Sequence, residues 1–312
     1  MAKARSERHE HGAPQQALGF ALGLTLAFAA VEVVTGFLSG SLALLADAGH
    51  MLVDSAGLGL ALAAALIARR PSDSRRSYGY ARAEVLAIPL HVALMLAITG
   101  YIVYSAIGRI GDHPDIQAVP VLVAGTIGLV INLIVMRMLH PHVEGNLNAR
   151  AARLEVIADA AGSVGVIASG LIIAATGWTT VDVIVSLAIG VLVVPRAVSL
   201  LRQALSILLE STPPGMDVGR MEQDATAIPG VVALHDLHVW SLAPSFVALS
   251  AHVEMERMEG CERPMAALAT LFREQYGIGH VTLQPETREL HAAIACCEFP
   301  DKRAEQHVHV VS

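Results

Sequence analysis

Six long apolar stretches separated by short polar loops fill the first two thirds of the chain. They predict helices over residues 17–37, 41–68, 83–107, 119–139, 151–176 and 181–208. Each supplies the roughly 20 apolar residues that the hydrocarbon core of a bilayer requires. Only residues 38–40 separate the first two, which predicts a tight helical hairpin. Gly19, Gly23 and Ala27 recur at every fourth position, a spacing that lets helices approach closely. Pro195 predicts a kink in the sixth helix.

Beyond Glu210 the pattern changes. STPPG breaks the last long helix. Residues 216–227 read as an amphipathic helix, and 230–240 as a strand with apolar residues at most alternate positions. A strand over 246–255, a helix over 264–276 and a strand over 280–284 follow. That order predicts a small α+β domain with its helices on one face of the sheet. The expected organisation is a polar tail (1–16), a six-helix membrane domain (17–210), an α+β domain (211–294) and a flexible tail (295–312).

Composition agrees. Of 312 residues, 54% are hydrophobic and 16% charged, and mean hydropathy is +0.55. The net charge of −7 argues against a nucleic-acid partner. Residues 1–16 lack the apolar core of a cleavable signal peptide. Cys261, Cys296 and Cys297 make no disulfide framework and fit a reducing compartment, as thiols or soft ligands. Arginines crowd RRPSDSRRSYGYAR (69–82) and RMLHPHVEGNLNARAAR (137–153), whereas the alternate loops hold little Lys or Arg beyond Arg109. The positive-inside rule then places both termini in the cytoplasm.

The chemistry lies in LADAGHMLVDSAG, residues 45–57. It sets Asp47, His50 and Asp54 among Ala, Leu, Gly and Val. An ionisable residue at the centre of a spanning helix costs about 2.5–3.5 kcal/mol, so three of them need a reason. His50 and Asp54, four apart, share a helix face, and Asp47 lies near it. Glu155 and Asp159 repeat the four-residue spacing on the fifth helix. One His and three carboxylates suffice to close a tetrahedral divalent-metal site. Small residues (Ala46, Gly49 and Gly57; Ala158, Gly162 and Ser169) would let the two backbones approach. The alternative for each pair is a buried ion pair or a structural carboxylate, and Arg150 or Arg153 can pair with Glu155. Asp47 suits either a proton relay or ion-staging role, or a packing hydrogen bond. The third helix carries Glu84 at its start and no further charge until Arg109. A metalloenzyme is disfavoured: there is no HExxH motif, and a closed four-ligand site leaves no position for an activated water. A membrane-anchored sensor would have no need of ligands at bilayer depth.

Long runs resemble the cation diffusion facilitator family, in its cobalt–zinc–cadmium resistance branch. They are VEVVTGFLSGSLALLADAGHMLVD, RRPSDSRRSYGYARAEVLA, NLNARAARLEVIADAAGSVGVIASG, VDVIVSLAIGVLV, ILLESTP, LHDLHVWSL and GIGHVTLQPE. The resemblance implies a homodimeric antiporter in the inner membrane that exports a divalent metal in exchange for protons. It also implies an α-helical membrane protein of six transmembrane helices with a C-terminal cytoplasmic domain of metallochaperone-like, ferredoxin-like fold. The implied transport site is His50, Asp54, Glu155 and Asp159. Glu155 stands where the family usually has His, so zinc remains feasible while manganese, iron and cobalt stay open. A regulatory metal site, expected to take zinc, maps to His235, His252 and Glu286; surface histidines without metal are the alternative. Gln284 stands where some members have a further His. His235 and His238 are expected on opposite faces of their strand by simple alternation, which assigns His238 and Trp240 to packing or an interface. Asp73 is the lone candidate ligand in the 69–82 loop, so the site some members carry there is expected to be missing. No prosthetic group is expected.

Overall fold

The computed structural model describes residues 12–111, 114–139 and 147–290; the side chains of 12–19, 21, 139, 147–152, 154 and 155 lie outside that description. The expected tail at 295–312 falls wholly outside it, as do residues 1–11 of the expected N-terminal tail. The chain divides into two compact units at Ala204 and Leu205.

The first unit consists of α1 (Gly12–Ser39), α2 (Leu42–Ala68), α3 (Ala83–Gly108), α4 (Ala118–Leu139), α5 (Leu147–Thr176) and α6 (Thr180–Leu208). All six are long and apolar enough to cross a membrane. α1 begins at Gly12, earlier than expected, because Pro14 is tolerated in a first helical turn and the following Gln and Ala residues favour helix. α6 runs through Pro195, and α3 contains Pro89. Gly23 does not mark a close helix contact: a Cβ there would meet open space. Close approach is found instead between α4 and α5, where a Cβ at Gly125 would press on Val166 and Ile167, and one at Gly170 on Leu122.

The α1–α2 hairpin turns on Gly40, whose φ of +73° suits the one residue without a Cβ. Ser41 caps α2 by accepting a hydrogen bond from Leu44 N at 3.1 Å. The remaining N-terminal amides of α2 are met from a distant element. Asp182, in the first turn of α6 and fully buried, accepts from Ser41 Oγ (2.6 Å), Leu42 N (2.6 Å) and Ala43 N (3.3 Å). Arg109 Nη1 lies 3.9 Å from the same carboxylate and donates to Gly40 O at 2.7 Å. A buried aspartate at a helix N-terminus is thereby compensated by amide donors, the helix dipole and a cation. Asp182 locks α6 to α2. Val53, Val92, Met95, Val193 and Ala197 form an apolar cluster that brings α2, α3 and α6 together beside His50 and Asp54.

The second unit orders α7 (Val218–Thr226), β1 (Val231–Ala243), β2 (Phe246–Met255), α8 (Glu262–Glu274) and β3 (His280–Glu286). The strands run in the order β1-β2-β3, antiparallel then parallel. Its core joins Met221 and Ala225 of α7, Leu268 and Phe272 of α8, and Leu249, Ala251, Val253 and Met255 of β2. Alternate β2 residues therefore face both helices, and Ser250, His252 and Glu254 take the other face. His235 pairs with His252, and His238 with Ser250. Three residues on β1 thus span two on β2. The extra residue is a β-bulge, with Asp236 at φ +48°. The bulge resets the alternation, so His235 and His238 share a face, contrary to the expectation from simple alternation.

Candidate metal centres

His50 and Asp54 lie one turn apart on α2 and meet Asp159 of α5. His50 Nε2 is 3.4 Å from Asp54 Oδ2 and 3.8 Å from Asp159 Oδ1. One ligand atom from each of the three falls within 4.8 Å of the others. Ligands about 2.0–2.2 Å from one tetrahedral zinc ion stand roughly 3.3–3.6 Å apart, so these spacings are close to those of a shared ion. All three side chains are largely buried. Glu155 lies on α5 one turn before Asp159, and its side chain is outside the described residues. A small, largely apolar pocket of about 20 Å³ adjoins His50, bounded by Ala46, Met95, Ile102 and Ile189.

Asp47 is buried and points at α5. Its Oδ2 lies 3.4 Å from Ser163 Oγ, which in turn accepts from Asn132 Nδ2 at 3.3 Å. Gly162 makes the room, because a Cβ there would overlap Asp47 Oδ1. Glu32 of α1 is fully buried, and neither carboxylate oxygen finds a hydrogen-bond partner among the described residues. It lies within electrostatic reach of both Asp47 and Asp159.

Two residues beside the trio escaped the sequence reading. Arg196 of α6 donates to Asp54 Oδ2 at 3.1 Å. His91 of α3 places Nε2 3.8 Å from Asp54 Oδ1. Neither belongs to a spaced pair. The available signals were single: an arginine well inside an apolar helix, directly after Pro195, and a histidine inside another.

In the second unit Glu286 bridges two imidazoles. His235 Nε2 is 2.7 Å from its Oε1, and His252 Nδ1 is 2.9 Å from its Oε2. The histidine rings stand 5.3 Å apart. The β1–β2 pairing sets His235 opposite His252, and the parallel β2–β3 register puts Glu286 level with Glu254 on the same face. Burial alone would raise Glu286, but the hydrogen bond from His252 and the charges of His235 and His252 outweigh it and hold the carboxyl below its ordinary range. Two imidazole nitrogens and a carboxylate within 4.8 Å make a donor set that fits a divalent ion. His238 falls outside this trio. In the 69–82 loop, Asp73 accepts from the backbone amides of Arg75 and Arg76, both at 2.8 Å. The Arg75 amide foremost holds its carboxyl below the usual range.

Residues 18–209 match the family described as the cation efflux transmembrane domain, and residues 213–288 match the cation efflux protein cytoplasmic domain. The metal cation efflux system protein CzcD of Cupriavidus metallidurans is 40% identical over 301 residues, covering 96% of this chain and 92% of that protein. The cadmium, cobalt and zinc/H(+)-K(+) antiporter of Bacillus subtilis is 35% identical over 308 residues, with 96% and 99% covered. Zinc transporter ZitB of Escherichia coli is 38% identical over 274 residues, with 87% of each covered. With both domains matched in order and six helices able to span a bilayer, the chain belongs to the cation efflux family, as a multi-pass membrane transporter and not an enzyme.

Proposed function

We propose that this transporter exports a divalent metal from the cytoplasm in exchange for protons, binding the ion between α2 and α5 at His50, Asp54, Glu155 and Asp159. The convergence of His50, Asp54 and Asp159 from two membrane-length helices carries the reading. Zinc is the favoured cargo, with cadmium and cobalt also accepted, as the names of the similar proteins suggest. Imidazole with carboxylates suits these ions, while the extra oxygen ligand at Glu155 moves the site toward manganese and iron. That shift makes a manganese- or iron-preferring exporter of the same fold the second reading.

The exchange follows from ligand chemistry. A metal ion needs neutral imidazole and ionised carboxylates. Free histidine titrates near about pH 6.5, so modest acidity on the far side displaces the ion. Alternating access around a site inside the membrane then couples the two fluxes. The arginine-rich loops support cytoplasmic termini and an inner-membrane location. Within the expected α+β domain, residues 211–294, residues 213–288 match a domain family named for dimerisation, which supports a homodimer. Its His235, His252 and Glu286 would hold a regulatory divalent ion, which would contribute cross-linking charge rather than chemistry. Asp47 serves the transport site as an accessory.

The test is metal flux in proteoliposomes with a pH gradient, comparing zinc, cadmium, cobalt, iron and manganese. Asp54→Ala and Asp159→Ala should each abolish proton-driven flux. Full transport by both variants would remove these residues from the site.

A further inference from the structure

We propose that His91 on α3 is a ligand of the transported ion and supplies the imidazole that α5 lacks where it carries Glu155. The inference rests on reading His50, Asp54 and Asp159 as the transport site.

Three observations carry it. First, His91 Nε2 stands 3.8 Å from Asp54 Oδ1, while His50 Nε2 faces the other oxygen of that carboxylate. The separation is too long for a hydrogen bond. It equals the 3.8 Å between His50 and Asp159 across the same site, and it sets His91 at the edge of the group formed by His50, Asp54 and Asp159, on the far oxygen of their shared Asp54. Second, His91 Nε2 is buried and has no hydrogen-bond partner among the described residues. A buried polar atom left unpaired is uncommon and needs an explanation. Third, the ring is seated deliberately. Gly57 lies three residues after Asp54, on the same face of α2, and any Cβ there would overlap the imidazole. Val92 and Met95 of α3 pack with Val53 of α2, next to Asp54, which fixes α3 at this height.

Together His50, His91, Asp54 and Asp159 offer two nitrogens and two carboxylates. Imidazole favours zinc and cobalt over manganese, so His91 restores a preference that Glu155 alone would weaken.

The test uses the full chain, purified in detergent and reconstituted. His91→Asn should lower the zinc-to-manganese affinity ratio at least tenfold. His91→Cys, with Cys261, Cys296 and Cys297 replaced by Ser, should give a thiolate-to-cobalt charge-transfer band on adding Co²⁺, and Asp54→Ala in that background should abolish it. An unchanged metal ratio in His91→Asn with no thiolate band in His91→Cys, while Asp54→Ala still stops transport, would overturn the role of His91 and leave the site intact. Normal transport by Asp54→Ala and Asp159→Ala would overturn both.

Discussion

Arg196 Nη1 stands 3.1 Å from Asp54 Oδ2, the oxygen that also faces His50 Nε2 at 3.4 Å. A guanidinium from the middle of α6 thus occupies the carboxylate atom that an ion between α2 and α5 would use. The ion must displace it. A hydrogen bond between charged groups contributes about 1.5–3 kcal/mol, and partial exposure of Arg196 trims that toward the lower figure. Arg196→Gln should therefore tighten zinc binding by about tenfold, near 1.4 kcal/mol, and slow release. Calorimetric titration of the purified protein, paired with flux measurement, checks both. Weaker binding in the variant would instead make Arg196 a clamp that holds Asp54 in place.

Asp182 is the opposite kind of buried carboxylate, one whose surroundings are complete. Ser41 Oγ and the amides of Leu42 and Ala43 all donate to it, and Arg109 lies alongside. Asp182→Ala strands those donors and the guanidinium, which should cost about 3–5 kcal/mol. Asp182→Asn, which keeps the shape, should cost less. Thermal unfolding in detergent should show the ranking, with metal affinity per folded molecule unchanged. A loss of affinity without a loss of stability would place Asp182 in the transport machinery.

Tyr276 gives the soluble unit an alkaline limit. Burial first, and then the hydrogen bond it donates to Asp224 Oδ2 at 2.7 Å, push its phenol up to about 12 from the ordinary 10.0. The folded state favours the protonated phenol. Its contribution is therefore complete below pH 10 and is lost as the pH rises through about 12. Unfolding of the full chain across this window should show the wild type losing stability relative to Tyr276→Phe. Parallel curves would show that folding does not raise the Tyr276 phenol.

Much of this arrangement could be read from residue order because it depends on local periodicity. Six apolar runs became six helices, and residues four apart on α2 placed His50 and Asp54 together. What could not be read depends on which helix face turns inward. His91 and Arg196 each lack an ionisable neighbour one turn away on their own helix, and the packing of Val53, Val92, Val193 and Ala197 brings their helices to Asp54. The faces of β1 were misassigned for a related reason. Strict alternation assumes one residue per step, and the extra residue at Asp236 breaks the count without any glycine or proline to announce it.

Packing and function make different demands on Asp47, and its neighbours separate the two. Its carboxylate is buried beside α5, with a long 3.4 Å contact to Ser163 Oγ. One long hydrogen bond returns little of the cost of burying a charge. An amide of the same shape would pack equally well at lower cost, so a carboxylate kept here points to function. Asp47→Asn should raise the melting temperature and slow metal flux by at least tenfold. Gly162→Ala offers the converse. Its methyl group would overlap Asp47 Oδ1, and such overpacking costs about 1–3 kcal/mol. It should lower both stability and flux by moving the carboxylate. If Asp47→Asn transports at the wild-type rate while Gly162→Ala does not, Asp47 is a packing group and the room at Gly162 serves only the contact between α2 and α5.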